Sequence, residues 1–337
     1  MRAAHGVPGA DAHRCAREAD PWGVRARAAG PTAMTRARVG CVALVTGLLI
    51  ALVPVTPARS TGAKPAFTTW DETFVDESRV TPEGAESAGV PTRTLETAIY
   101  RPKGKGPFPL IMFSHGLSGH PEKFTEIFAV WAEAGYVVAA PAFPLTNDHV
   151  ASSGSNIPDL LQQPADVSFV LDEVLALDKE RGSMLFRAID ETRIGAAGLS
   201  LGGATTYGVA FSACCRDERL ISAAVLNGFA TPIGDDGEIQ LDGHIPLFIG
   251  HSDTDPFLSF ESARATFERA TAPVWFVTFF GASHATQWED ADTPYDTIAE
   301  QITLDWWDAT LKGKKKAFTR LEHDATVEGL ASIEVKD

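Results

Sequence analysis

The chain is poor in cysteine, with 4 among 337 residues, and poor in basic residues relative to acidic ones. Two of the cysteines, Cys15 and Cys41, lie in the first 60 residues, so a disulfide framework cannot be what holds the remainder together. The other pair, Cys214 and Cys215, is adjacent. It reads as two small apolar residues on a helix, with a vicinal disulfide as the other option. Of 29 basic and 44 acidic residues, 8 and 3 fall in residues 1–60, which leaves 21 against 41, a formal charge of −20 on residues 61–337. So acidic a surface argues against nucleic acid and anionic membranes as partners. No repeat, no low-complexity block and no Gly-rich phosphate loop follows residue 60. No His, Cys or Asp set has metal-ligand spacing, and neither metal nor cofactor is expected.

Long apolar runs are also missing, with one exception. Residues 39–55, "VGCVALVTGLLIALVPV", follow the basic "TRAR" and precede "TPARS". A basic stretch, an apolar core and a small-residue exit form the pattern of a secretory signal peptide over about 34–60, with physiological translation starting at Met34. The core is short for a bilayer span, so a retained anchor is the weaker reading, and no stable membrane insertion is expected after cleavage. Cys41 precedes the run rather than following it, which argues against a lipoprotein anchor. Residues 61–337 then form one domain, with 45% hydrophobic residues in the whole chain to supply its core.

What is present alternates. "PLIMF" (109–113), "YVVAAP" (136–141), "RIGAAGLS" (193–200), "SAAVLN" (222–227), "IPLFIGH" (245–251) and "VWFVTFF" (274–280) read as solid apolar strands. Amphipathic stretches near 121–134, 163–179, 202–213, 259–270 and 294–311 read as helices. Continuous apolar strands imply a sheet covered on both faces, and strand–helix alternation implies a doubly wound, mostly parallel sheet. Residues 61–90 read as irregular, "TLETAIY" as an edge strand, 142–160 as a loop able to act as a flap, and "KGKKK" (312–316) as a solvated run after the last helix. Asp148, Asp166 and Asp172 read as surface or cap charges, and Trp275, Phe279, Trp306 and Trp307 as core.

In such sheets ligands collect at the carboxyl ends of the strands. Ser200 in "GLSLGG", Asp253 in "GHSDTDP", His284 in "GASH" and the "SHGLSG" loop all fall there. A serine hydroxyl needs an adjacent base, histidine has the pKa for that role, and a carboxylate orients the ring. The order Ser200, Asp253, His284 is the order of α/β-hydrolases, with Asp255 as the alternative acid. Gly198, Gly202 and Gly203 relieve crowding at the turn that lifts Ser200. The backbone N–H groups of Leu117 and Leu201 are candidates for an oxyanion hole. Phe229 and Phe257 are candidate pocket residues; His115 reads as orienting the oxyanion loop and His251 as structural.

Together "FSHGLSG", "GLSLGG", "GHSDTDP", "GASH" and the helix "QPADVSFVLDEVL" resemble the dienelactone-hydrolase-like group of α/β-hydrolases, near the platelet-activating-factor acetylhydrolases and cutinase-like polyesterases, over about residues 92–312. The resemblance implies an α/β-hydrolase fold with helices on both faces of the sheet. It implies Ser200 as nucleophile, His284 as base, Asp253 as acid, and Leu117 and Leu201 as oxyanion donors. The expected activity is that of a secreted serine esterase acting on a small-molecule, lipid or polymeric ester. Lipase, phospholipase or polyesterase activity with the same triad is the alternative, and a non-catalytic binding protein belongs to a different class. True dienelactone hydrolases carry cysteine where Ser200 stands, so their lactone chemistry is not implied. The polyesterases usually have Tyr or Phe where Leu117 stands.

Overall fold

The computed structural model describes residues 66–83, 88–149 and 156–337; the expected signal peptide, the upstream extension and part of the expected flap lie outside these residues. Nine strands form one sheet: β1 (Phe67–Asp76), β2 (Arg93–Pro102), β3 (Phe108–Ser114), β4 (Val137–Ala142), β5 (Ile189–Leu199), β6 (Leu220–Leu226), β7 (Leu247–Ser252), β8 (Val274–Phe279) and β9 (Ala331–Lys336). Their order is β1-β2-β4-β3-β5-β6-β7-β8-β9. Strands β3 to β8 pair in parallel, while β1, β2 and β9 are antiparallel to their neighbours. The fold is that of an α/β-hydrolase.

Successive side chains of a strand point to opposite faces, and a strand apolar throughout therefore feeds two cores. Leu110 and Met112 of β3 join one cluster, and Ile111 and Phe113 join the other. The first cluster is closed by α2 (Gln163–Lys179), α3 (Leu201–Phe211) and α4 (Phe260–Arg269); the second is closed by α1 (Thr125–Glu133), α5 (Asp296–Thr310) and α6 (Lys316–Asp324). Trp275, Phe279, Trp306 and Trp307 are buried, as their sequence context suggests. Among the described residues no helix is long and apolar enough to cross a membrane.

Four local readings need correction. The edge strand is β1, not "TLETAIY": Phe67 to Asp76 pairs along the whole of β2, although its alternation is blurred by Thr68, Thr69, Asp71 and Glu72. The chain does not end in a solvated run after α5. Lys312 lies 3.7 Å from the centre of the Tyr136 ring, Lys314 pairs with Asp308 at 2.9 Å, and α6 and β9 follow. Cys214 and Cys215 lie beyond the end of α3 and are disulfide-bonded.

Asp166 is fully buried rather than a surface charge. It accepts two hydrogen bonds from the buried Arg93 guanidinium, each 2.6 Å, while Asp159 takes two more at 2.9 Å. Burial pushes Asp166 above the ordinary carboxylate range despite these bonds, because desolvation is the larger effect. The cluster ties β2 to the short turn Ile157–Leu161 and to the start of α2.

Candidate active site

The turn between β5 and α3 is tight. Ser200 takes φ 58° and ψ −115°, a strained conformation for a residue with a side chain. Its N–H donates to Leu226 O (2.9 Å) and its carbonyl accepts from Ala204 N–H (3.1 Å), so the flanking strand and helix both hold the turn. A Cβ on Gly198 would lie 2.2 Å from Gly202 O, and one on Gly202 would lie 2.0 Å from Ser114 O. These glycines are required by close backbone approach, and that approach carries β3's loop to the serine. A Cβ on Gly116 would sit 3.2 Å from Ser200 Cβ and 3.8 Å from its Oγ.

Leu117 therefore follows a residue in contact with Ser200, and Leu201 opens α3. The first N–H groups of a helix have no partner within it, and they carry its positive end. His115 holds the loop from behind. It is buried, its Nδ1 donating to Gly116 O (2.7 Å) while its Nε2 accepts from Phe143 N–H (3.0 Å). Both nitrogens are used by a neutral ring, which matches the loop-orienting role read from sequence.

The base and acid candidates come from the loops after β8 and β7. His284 Nδ1 donates to Asp255 Oδ2 at 2.6 Å, which leaves Nε2 as the ring's acceptor. Asp255, its side chain fully buried, also accepts from Asn227 Nδ2 (2.8 Å), Phe257 N–H (2.8 Å) and Leu258 N–H (3.0 Å). Burial alone would raise its pKa; the bonds from His284, Asn227 and the two backbone amides outweigh burial and hold the carboxyl well below the usual range. It stays ionised.

Asp253, the acid favoured by sequence, is not at His284. Its N–H donates to Phe279 O (3.0 Å), prolonging the β7–β8 ladder, and its exposed carboxylate accepts from Gly281 N–H (2.7 Å). Two residues further the chain has turned inward, and Asp255 takes the place expected of Asp253. Sequence order cannot separate two aspartates in one loop; the ladder's extra residue decides it.

A buried polar frame missed by the sequence supports the pair. Asn227, at φ 41° just beyond β6, accepts from Gln287 Nε2 (2.8 Å) and Trp288 Nε1 (2.7 Å) through Oδ1. With its oxygen so occupied, its amide nitrogen is left to face Asp255. Ser252 Oγ donates to Ser283 O (2.6 Å), and Thr254 Oγ1 to Ala282 O (2.8 Å), fastening the histidine loop to the acid loop. The weak signal was positional: Asn227 ends a strand on the same edge.

The two aromatic candidates part company. Phe257 is 73% exposed with its ring 5.3 Å from that of His284, at the site's rim. Phe229 is half-buried against a small cluster of Leu160, Leu201, Ala204 and Ile233. His251 is buried, 3.7 Å from Asp255 Oδ2 and 3.4 Å from Leu258 O, and does not replace His284.

Burial pushes the His115 pKa down to about 4 and lowers that of His251 as well. The unfolded chain binds protons at these rings near its ordinary pKa of about 6.5, while the native state refuses them. Stability is therefore full above that value and is lost as pH falls toward 4, by roughly 2–3 kcal/mol for His115. Urea unfolding at about pH 7 and about pH 4.5 checks this; an unchanged midpoint contradicts it.

A family model described as the Dienelactone hydrolase family matches residues 95–313. That span begins within β2 and ends after α5, and it contains every residue of the site described above. No curated protein matches the chain.

Proposed function

Because the chain belongs to the dienelactone hydrolase family, and is a hydrolase of the α/β fold on that ground, we propose that it cleaves carboxylic esters through an acyl-enzyme formed on Ser200. The observation that carries this reading is the His284–Asp255 hydrogen bond at the edge where β5 presents Ser200 on its strained turn. Ser200 Oγ attacks the ester carbonyl carbon and His284 Nε2 takes its proton. Leu117 and Leu201 N–H groups donate to the developing oxyanion, and the helix dipole of α3 adds to them. The tetrahedral intermediate collapses, and the leaving alkoxide takes the proton from His284. A water then enters, gives its proton to His284 and attacks the acyl carbon; Ser200 leaves with that proton. Asp255 holds the ring's tautomer and stabilises the imidazolium between these transfers.

We propose that the protein works outside the cytoplasm. The leader pattern over 34–60 and the Cys214–Cys215 disulfide both fit an oxidising compartment. A second reading, lipase or polyesterase action by the same three residues, is favoured by one observation: the rim carries exposed apolar side chains, Leu117 at 38% and Phe257 at 73%.

A fluorophosphonate probe is expected to label one residue, Ser200, identified by peptide mass spectrometry, and to stop ester hydrolysis as it does so. No label on Ser200 would overturn the catalytic reading in favour of a binding protein. Run on p-nitrophenyl esters from acetate to palmitate and on a polyester film, the same preparation separates the two substrate readings by whether rate rises with acyl length.

A further inference from the structure

Behind the candidate oxyanion loop, the segments after β3 and β4 are laced together. Ser118 N–H donates to Thr146 O (2.7 Å) and Asp148 N–H to Gly119 O (3.0 Å). Asn147, bridged to Gly119, fixes the second segment by donating to Phe143 O (2.8 Å) and accepting from His149 N–H (2.9 Å). This lacing brings His120, Asp148 and His149 together, with one donor atom of each within 4.8 Å of the others. The two imidazoles stack with centroids 4.5 Å apart, and His149 Nε2 faces Asp148 Oδ1 at 3.7 Å. His120 Nε2 and Asp148 Oδ1 are buried without a hydrogen-bond partner among the described residues. Buried polar atoms of this kind are uncommon and costly unless something is there to bind.

We propose that His120, Asp148 and His149 bind a divalent transition-metal ion such as Zn²⁺, which staples the candidate oxyanion loop to the loop after β4. Two imidazoles and one carboxylate are a nitrogen-and-oxygen set suited to Zn²⁺, whereas Ca²⁺ and Mg²⁺ favour oxygen alone. His120 Nδ1 accepts from Glu122 N–H at 3.4 Å, which puts the ring proton on Nε2. On metal binding at Nε2 that proton moves to Nδ1, the long bond from Glu122 N–H is given up, and the exposed Glu122 carboxylate, 3.8 Å away, has to close in to accept from Nδ1. No net proton is lost from the ring.

Lys123 lies 3.4 Å from Asp148 Oδ2 and donates to Ser118 O (2.7 Å). It engages the carboxylate oxygen opposite Oδ1 and, as a nearby cation, weakens the site without filling it. His120 and Asp148 stand 28 positions apart, so no ligand spacing announced them; the pairing of two loops assembles the set.

The test is equilibrium dialysis of the chelator-treated full chain against Zn²⁺, with metal content measured directly, and the visible spectrum of the Co²⁺ form. One Zn²⁺ per chain and tetrahedral Co²⁺ bands are expected for the wild type. His149→Ala and His120→Ala should each weaken binding by roughly 100-fold, and Lys123→Met should strengthen it. His149 is 63% exposed, so its replacement leaves folding intact and keeps the test decisive. Substoichiometric uptake by the wild type, or equal uptake by His149→Ala, overturns the site. The readout is metal binding, so it stands apart from whether Ser200 turns over esters.

Discussion

Replacing Ser200 by alanine is expected to lower kcat for p-nitrophenyl butyrate by roughly 10⁴- to 10⁶-fold, with KM changed only a few-fold. In the proposed mechanism the alcohol oxygen is the atom that bonds to substrate carbon, and nothing else at the turn can take its place. Binding is left nearly intact because the substitution removes one atom and keeps the strained backbone, held by Leu226 O and Ala204 N–H. The residual rate reports what the oxyanion donors and positioning contribute without covalent chemistry. Steady-state kinetics on a preparation free of contaminating esterase checks this. A variant within tenfold of wild type would mean that hydrolysis occurs elsewhere or by another route.

The second large effect separates two aspartates. Asp255→Asn is expected to cut kcat by about 10⁴-fold, since an amide in place of the carboxylate can present its NH₂ to His284 and favour the wrong tautomer. The loss should fall on kcat, not KM. Asp253→Asn should stay within about threefold, because that carboxylate only receives Gly281 N–H at an exposed position. The pair of variants is its own control: both alter the same loop, both remove one charge, and only one touches the ring. If Asp253→Asn were the damaging change, the arrangement in which Asp255 serves His284 would be wrong.

Much of the architecture was legible because the sequence states it redundantly. The expected helix 163–179 and α2 coincide, and the apolar runs of β3 to β8 are long enough that no other element would bury them. The fold class follows from their alternation with helices. The strained turn was legible too, since Gly198, Gly202 and Gly203 mark places where backbones touch. What escaped was whatever depends on two distant segments meeting. Asp253 and Asp255 share one sequence context and differ only in that Asp253 prolongs the β7–β8 ladder while Asp255 lies beyond it. Asn227 is one polar residue after a strand until Gln287 and Trp288 arrive to orient it. Asp166 seemed a surface charge because its partner Arg93 is 73 positions away. β1 and β9 were invisible for another reason: an antiparallel strand at a sheet's margin has one open edge and a half-wet face, so its composition drifts toward that of a loop.

Those two marginal strands have a further consequence. Both lie outside the span shared with the family: β1 ends before residue 95, and α6 and β9 begin after residue 313. Yet β1 pairs with β2 along ten residues, β9 covers β8 from Val274 to Phe279, and Phe318 of α6 stacks flat on Trp275 at 4.7 Å. A protein trimmed to the shared span would keep every residue of the candidate site while baring two hydrogen-bonding ladders and a tryptophan. Such open ladders invite strand addition from a second molecule. The span shared with the family is thus smaller than the sheet it belongs to, and β1 and β9 close ladders that trimming would open.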